Sequence, residues 1–486
     1  MFRAPCSGFR LLAIPGRVGY PRRFMIRPST PLQRVPHTSE VHHDVPLTEL
    51  SGWGHCPVVQ GRELLSERFE ASTEGAALSR GMGRSYGDSS LPASADDIVA
   101  CSTLADRMLA FDPDSGVLRA EAGLKLVSLN NWSLPRGWFT PVTPGTHFVT
   151  LGGMVAADVH GKNHHRNGSF GAHVTALKLR VADGSIVECS DDQQRELFRA
   201  TLGGMGLTGH ILEVEVRLQA IPSPWIWAES QRFDDLDTLI DSLKRAGEEW
   251  PYTVCWVDCL ATGGRLGRGI LMRGRWAEPR EAPAAPPRPK AAFAVPFMMP
   301  NGLLMPWAVK AFNGLYYALH GRRTHRGVQH PEWFFYPLDV VGEWNRLYGR
   351  HGFTQYQCVL PIEHDPSLPR RFLRHLSARG GTAYLCVMKD CGAQGKGLLS
   401  FPKPGISFAL DIPYHGAPTQ ALIDALDDVV VESGGRIYLA KDALTRAEKF
   451  RRMEPRLEAF QRIRQRWDPD GRLRSAQSVR ILGDVM

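Results

Sequence analysis

Three glycine-rich clusters carry most of the chemistry this sequence can offer. The first is Ser79-Arg80-Gly81-Met82-Gly83-Arg84-Ser85-Tyr86-Gly87-Asp88. Small residues at this density adopt positive φ and expose consecutive backbone N–H groups. Such a nest binds anionic oxygens, phosphate above all, with a plain structural turn as the competing reading. The second cluster is Thr143-Pro144-Gly145-Thr146 followed by Leu151-Gly152-Gly153-Met154-Val155-Ala156-Ala157-Asp158-Val159-His160-Gly161-Lys162-Asn163-His164-His165. Its Gly and Ala residues let the backbone approach a flat ligand closely. His160, His164 and His165 could suggest a metal; Asp158 and His160 are two apart, but no second ligand pair follows at zinc spacing, so no metal is expected. The third, Thr201 to Ile211 with Gly203, Gly204, Gly206 and Gly209, runs into a strand. It lacks the setting of a Gly-x-Gly-x-x-Gly strand-to-helix turn, which disfavours a nicotinamide Rossmann domain. Further on, Gln355 and Gln357 alternate on one strand and share a face. Two amides so placed can hold sugar hydroxyls; a solvent-facing strand is the alternative.

The elements that must position these residues fall into two patterns. Residues 44–220 are rich in β-branched residues, Gly and turn signals, with strands expected at Ile98–Cys101, Val117–Glu121, Ala176–Val181 and Ile211–Leu218. Ala182-Asp183-Gly184 reads as a turn, and Leu124–Leu134 as an amphipathic helix ended by Pro135-Arg136-Gly137. Pro222 and Pro224 mark a boundary. Beyond it, helices are expected at Asp234–Glu249 and Thr419–Ser433, the latter closed by Gly434-Gly435. Strands are expected at Thr253–Cys259, Gly269–Trp276, Phe353–Pro361, Ala383–Lys389 and Ile406–Pro413, giving an antiparallel sheet with covering helices. The tail from Arg436 reads as a strand, Arg436–Ala440, and then basic helices. Ala277–Pro300, rich in Pro and Ala, reads as a flexible loop. The uncharged run Ala291–Val309 is long enough to span a membrane, but Pro296, Pro300, Gly302 and Pro306 argue for an apolar loop.

Composition supports a globular chain of 486 residues, about two or three domains long. Apolar residues are 43% and charged residues 22%, which excludes disorder and fibre. The net charge of +8 is concentrated in residues 1–40, whose seven Arg and one acid leave only +2 for the remainder. No nucleic-acid partner is therefore expected, despite a pI near 9.0. Residues 1–43 read as a basic, disordered extension. The nine Cys show no Cys-x-x-Cys spacing, as in scattered reduced thiols of a cytosolic protein.

The order of these motifs resembles the FAD domain of the vanillyl-alcohol oxidase-type flavoproteins. It runs Gly-x-Gly-x-Ser at 81–85, Pro-Gly-Thr then Gly-Gly then Asp-x-His-Gly-Lys-Asn at 144–163, and Gly-Gly-x-Gly-Leu-Thr-Gly at 203–209. Within that group the closer likeness is to the decaprenylphosphoryl-β-D-ribose 2-oxidase family, the flavin subunits of an arabinose epimerase. It extends over Pro337-Leu338-Asp339, Gly342-Glu343-Trp344-Asn345, Gln355-Tyr356-Gln357 and Tyr438-Leu439-Ala440-Lys441-Asp442. The resemblance covers about residues 44–486. It implies an α+β, two-domain FAD-binding fold with an antiparallel-sheet substrate domain. Residues 44–223 and 436–486 would form the FAD domain and 224–435 the substrate domain.

The same resemblance implies roles. Arg80, Gly81, Met82, Gly83, Arg84, Ser85, Tyr86, Gly87 and Asp88 would wrap the pyrophosphate. Gly145, Thr150, Leu151, Gly152 and Gly153 would line the flavin, as would Ala157, Asp158, Val159 and His160. Ile211 would lie on the adenine side and Tyr438 near the ring. Related sugar oxidases carry a flavin-linked His where this chain has Arg84-Ser85, so noncovalent FAD is implied. Lys441 would stabilise negative charge on reduced flavin, and Gln355, Gln357, Tyr86 and His160 would complete the catalytic pocket. Lys162, Lys389 and Asp411 would contact substrate. The implied reaction is oxidation of the 2-hydroxyl of a polyprenyl-phospho-ribofuranose to a ketone, the first half of epimerisation to an arabinan precursor of the cell envelope. A separate NAD(P)H-dependent short-chain reductase would complete it, in the cytoplasm with peripheral contact at the inner membrane. Two departures alter the pocket wall: Ala409 replaces the Cys of actinobacterial members, and Phe335-Tyr336 replaces a Tyr-His pair. The alternatives are a soluble sugar or aldonolactone oxidase using oxygen, and a non-catalytic binding protein on the same fold.

Overall fold

The computed structural model describes residues 45–285, 287, 293–301 and 306–485. The expected basic extension at 1–43 lies outside them. From Pro46 on, the described chain belongs to one unit.

A four-stranded sheet comes first, in the order Leu47–Ser51, Val58–Leu65, Ile98–Cys101, Leu78–Arg80. Ile98–Cys101 is buried at all four residues and pairs in parallel on both sides. A short run of apolar, β-branched residues is what such an enclosed strand requires. The first glycine cluster leaves the end of its neighbour at Arg80. A five-stranded antiparallel sheet follows, in the order Met108–Asp112, Val117–Glu121, His210–Arg217, Val174–Arg180, Ile186–Ser190. Its strands alternate, with Leu118, Ala120, Val214 and Val216 buried. Gly184 has φ +89° in the turn expected there. The expected helix at Leu124–Leu134 spans Leu126–Ser133 and tightens into a 3₁₀ turn over Leu134–Arg136, ended by Gly137 at φ +77°.

The largest sheet has eight antiparallel strands in the order His325–Gln329, Ile226–Phe233, Gly269–Trp276, Tyr252–Val257, Cys386–Cys391, Gly405–Pro413, Phe353–Leu360, Arg436–Ile437. Helices Leu236–Glu249, Leu368–Ala378 and Ala417–Glu432 cover one face. Leu239, Leu243, Phe372 and Leu426 pack there on Cys255, Tyr356, Cys358, Phe408 and Leu410. The first of these helices starts after Asp235, whose carboxylate accepts the Thr238 N–H at 3.0 Å and so caps it.

Two expectations need correction. Arg436–Ala440 is not one strand: pairing stops at Ile437 and the chain turns, with the Lys441 N–H donating to the Tyr438 carbonyl at 2.9 Å. The apolar run Tyr438–Ala440 is buried by packing, not by strand pairing. Nor is Ala277–Val309 all loop. Phe293–Ala294 forms a short strand beside Val341–Gly342, and a helix begins at Pro306 and runs to Leu319. Proline breaks a helix from within but is tolerated at its first position, where its missing N–H has no partner to lose. Residues 286, 288–292 and 302–305 of that stretch lie outside the described part.

Candidate active site

The uncovered face of the large sheet carries a polar floor. Phe353–Leu360 is buried along its whole length, so the period of two sends Tyr356 and Cys358 to the helix side and Gln355 and Gln357 to the other. Register sets their neighbours: Gln355 faces Asp411, Gln357 faces Ala409, and on the next strand Lys389 faces Ser407. The Gln355 amide donates to Asp411 Oδ1, and the Gln357 amide to Ser407 Oγ at 3.2 Å.

His160 lies over this floor. Its Nε2 is 2.9 Å from the Gln357 amide nitrogen and its Nδ1 3.2 Å from Lys389 Nζ. Tyr438 and Phe401 stand edge and tilt against the ring, with centroids 5.4 Å away in each case. Burial pushes the His160 pKa well below its ordinary value, and Lys389, His164 and Lys441 push it further. The ring is therefore neutral at pH 7. Lys162 and Lys389 close the same space. Burial lowers Lys162 to about 7 and Lys389 to about 8. Lys162 donates to the Phe335 carbonyl at 2.9 Å.

Lys441 and Asp411 form the third part. The Lys441 Nζ lies 3.7 Å from the Tyr86 ring centroid. Burial drives Lys441 down to about 7 and Asp411 up to about 7, while each partner's charge opposes that drift in the other. Tyr86 is tied to the Lys441 turn through its N–H, which donates to the Ala440 carbonyl at 2.9 Å. Tyr348 stacks on Phe353 beside it, at 4.0 Å between centroids, and its hydroxyl is buried without a partner among the described residues.

The glycine clusters meet the requirements of a dinucleotide cradle. Residues 81–88 form no regular element, and Gly83 has φ +61°, which a side chain would strain. A Cβ on Gly81 would run into Thr150, whereas one on Gly145 would meet nothing within 4 Å, so the backbone there is open to a close neighbour. Arg84 Nε and Ser89 Oγ are buried donors with no partner among the described residues, and each is of a type suited to phosphate oxygens. The Arg84 guanidinium lies over Trp53 at 3.9 Å. Thr150 caps Leu151–Ala156 by accepting the Gly153 N–H at 3.2 Å, holding Leu151, Gly152 and Gly153 in register. Among the described residues, no three His, Cys, Asp or Glu converge as a metal ion would need.

Residues 70–190 match the FAD binding domain family, and residues 406–481 match the D-arabinono-1,4-lactone oxidase family. The decaprenylphosphoryl-beta-D-ribose oxidase of Mycolicibacterium smegmatis is 34% identical over 450 residues, 89% of this chain and 97% of that protein. The chain belongs to the decaprenylphosphoryl-beta-D-ribose oxidase family. An uncharacterized protein of Streptomyces coelicolor is 35% identical over 346 residues, 69% of this chain and 94% of its own length. A putative D-arabinono-1,4-lactone oxidase of Neurospora crassa is 28% identical over only 146 residues, 24% of that protein. As a member of the decaprenylphosphoryl-beta-D-ribose oxidase family, the chain is an FAD-dependent oxidoreductase with the α+β vanillyl-alcohol oxidase-type fold.

Not every residue singled out from the sequence of this oxidase turns its side chain to the shared space. His160 touches Gln357, Lys389 and Tyr438, and Gln355, Asp411, Lys441 and Tyr86 form a second connected group. Two carboxylates are engaged elsewhere. Asp158 accepts from Ser169 at 2.7 Å, from Ser400 and from the Gly171 N–H at 2.7 Å. Asp88 is held by Arg480. Arg80 spans from the Ser51 carbonyl, at 2.7 Å, to Ser90. Ile211 is a buried strand residue paired with Leu179, and Ala157 and Val159 are buried beside it in one core. Ser407, Phe401 and Tyr348 escaped the sequence reading, and His164 was weighed there only as a metal ligand. Ser407 carried a signal, since it stands two residues before Ala409 on the same strand face. Of the departing pair, Phe335 gives its carbonyl to Lys162, and the Tyr336 hydroxyl bonds Thr143 at 2.6 Å and Asn130 at 2.9 Å.

Proposed function

We propose that this protein oxidises the 2-hydroxyl of a polyprenyl-phospho-ribofuranose to the 2-keto sugar. The observation that carries this reading is the polar floor of Gln355, Gln357 and Asp411 ringed by Lys162, Lys389 and Lys441. The amides suit sugar hydroxyls, and the lysines suit a phosphate and a developing negative charge. The fungal lactone oxidase match, confined to a quarter of that protein, gives the soluble sugar oxidase reading less support.

Bound FAD supplies the hydride acceptor for carbon 2. The chain's own residues do the rest. Gln355, braced by Asp411, and Gln357, braced by Ser407, orient the sugar. Lys389 and Lys162 hold the phosphate end. Lys441 provides preorganised positive charge where electron density gathers. His160, kept neutral, hydrogen-bonds rather than serving as a strong proton acceptor, because its basicity is depressed. Residues 44–223 with 436–486 form the FAD-binding part and 224–435 the substrate part. The product is a ketone, so a separate NAD(P)H-dependent reductase completes the epimerisation. The protein works in the cytoplasm, at the inner face of the membrane that holds the lipid. No helix among the described residues is long and apolar enough to cross a membrane.

The test is anaerobic mixing of the purified holoenzyme with polyprenyl-phosphoribose. Oxidised-flavin absorbance should bleach without added acceptor. Hydrogen peroxide formation with free sugars or aldonolactones, and no bleaching by the lipid, would favour the soluble oxidase. The cofactor is held without a covalent bond, because Arg84-Ser85 stand where linked relatives have His. Acid precipitation should release all the yellow colour, and colour left in the pellet would refute this.

A further inference from the structure

The helix Pro306–Leu319 turns its larger apolar face outward. Its buried stripe is Val309, Asn313 and Tyr317, one residue every fourth position. Asn313 is polar, and Tyr317 packs its ring on Trp256 and Ile270 while its hydroxyl meets acceptors. Asn313 Nδ2 donates to Asp258 Oδ1 at 3.1 Å, and the Tyr317 hydroxyl donates to Asp234 and to the Phe233 carbonyl, the latter at 3.1 Å. The outward stripe is Trp307, Ala311, Leu315, Ala318 and Leu319, with Trp307 71%, Leu315 59% and Leu319 72% exposed. A surface helix facing water presents the opposite pattern, apolar inward and polar outward. A contiguous exposed apolar stripe marks a surface meant for an apolar neighbour.

The charge carried by residues 306–331 has a single sign, with Asp234 near Arg322 and Glu229 near Arg326 as acidic neighbours from other segments. Residues 306–331 contain Lys310, Arg322, Arg323 and Arg326 and no Asp or Glu. All four cations are exposed, Arg326 with Glu229 at 3.7 Å as a neighbour from another strand. Three of them follow directly on the C-terminal end of the helix. Apolar stripe and basic cluster together match the two layers of an anionic membrane face, acyl chains below and phosphates above.

The helix also leads to the candidate active site. Phe312, 40% exposed, stacks on Tyr384 with centroids 5.1 Å apart and planes at 22°. Tyr384 packs in turn on the cluster of Tyr86, Trp344, Tyr348 and Phe353. Tyr86 is the ring beneath Lys441. An unbroken aromatic line therefore runs from the exposed helix to the proposed sugar site.

We infer that the outward stripe of Pro306–Leu319 lies in the headgroup–acyl boundary of an anionic lipid bilayer, with Arg322, Arg323 and Arg326 on its phosphates, and passes a polyprenyl chain along Phe312 and Tyr384. The passage of the chain rests on the lipid-substrate reading above; the membrane contact does not.

The test uses full-length holoenzyme floated with vesicles of equal phosphatidylglycerol and phosphatidylethanolamine, and with phosphatidylcholine vesicles as the neutral comparison. Wild type should float with the anionic vesicles, and brominated acyl chains should quench part of its Trp emission. The triple variant Trp307→Ser, Leu315→Ser, Leu319→Ser should keep FAD absorbance and melting temperature, lose the quenching, and partition at least about tenfold less. Replacing Arg322, Arg323 and Arg326 with Ala should weaken anionic-vesicle binding only. With a short-chain, water-soluble prenyl-phosphoribose the apolar triple variant should reduce its flavin at the wild-type rate, while KM rises for the long-chain lipid in vesicles. A wild type that stays in the aqueous fraction, or a triple variant that floats equally well, overturns the membrane contact. So does a wild-type dimer that the triple variant dissolves without any lipid binding, which would make a second copy the occupant. If no prenyl-phosphoribose bleaches the flavin but flotation behaves as described, the substrate reading fails and the membrane surface stands.

Discussion

Lys441→Ala should keep its FAD and lose flavin reduction by substrate, the reductive rate constant falling about 10²–10³-fold. The side chain sits where the two halves of the site meet. Its Nζ lies over Tyr86, and its charge is felt by both Asp411 and His160. Its backbone turn is pinned on one side to Tyr438 and on the other, through Ala440, to Tyr86. Truncation to Ala leaves those backbone bonds intact, so the cofactor cradle should survive. The pH profile supplies an independent check of sign. Burial holds Lys441 at about 7, and the Asp411 carboxylate is what raises it against that burial. If the cation is the active form, the reductive rate falls as pH rises through that region. Asp411→Asn keeps an acceptor for Gln355 but removes the negative charge, so the falling limb should move to lower pH. Wild-type turnover in Lys441→Ala, or an unmoved limb in Asp411→Asn, would remove Lys441 from the chemistry.

Much of this site was legible in the sequence because its parts are local. Glycine density marks the clusters at 79–88 and 143–161 whatever they pack against, and a period of two puts Gln355 and Gln357 on one face. Pairing between strands is not local. Nothing in the residues near Gln355 says that Asp411 lies opposite, and His160 meets Lys389 across 229 positions of chain. The Lys441 turn was misread for a related reason. Ile437, Tyr438, Leu439 and Ala440 look like a strand because all four are apolar, but after Ile437 their burial comes from packing once pairing has ended. The helix from Pro306 was hidden by its prolines, which signal breakage by type and permit a start by position. Its inverted face removed the remaining clue, since a buried Asn313 and Tyr317 do not read as a core stripe.

Arg480, which carried no sequence signal at all, should give the largest loss of stability. It lies on the C-terminal helix Ala476–Leu482 and joins two segments of the site. Its guanidinium takes both Asp88 oxygens at 2.8 Å, Asp442 Oδ2 at 2.8 Å and the Thr445 carbonyl at 2.6 Å. Asp88 ends the first glycine cluster, and Asp442 follows Lys441. The two segments touch so closely that a Cβ on Gly87 would collide with the Asp442 carbonyl. Both carboxylates are buried, at 4% and 8% exposure. Arg480→Ala leaves them without their cation, a change that costs about 3–5 kcal/mol for a buried pair. That is a large part of a typical folding stability of about 5–15 kcal/mol. Burial already raises the Asp88 pKa, with Arg480 pulling it back. Without Arg480 it rises further above its unfolded value, so the lost stability is greatest at neutral pH and shrinks as pH falls and Asp88 takes up a proton. Arg480→Lys should recover only part, because one ammonium cannot span two carboxylates in a planar fork. FAD affinity should fall with stability, since the clamp holds the segment proposed to wrap the pyrophosphate against the Lys441 turn. Thermal melts at pH 5 and 7.5 with flavin release as a second readout check this. An Arg480→Ala protein with wild-type melting temperature and full flavin content would mean that the two segments are held together by backbone contact alone.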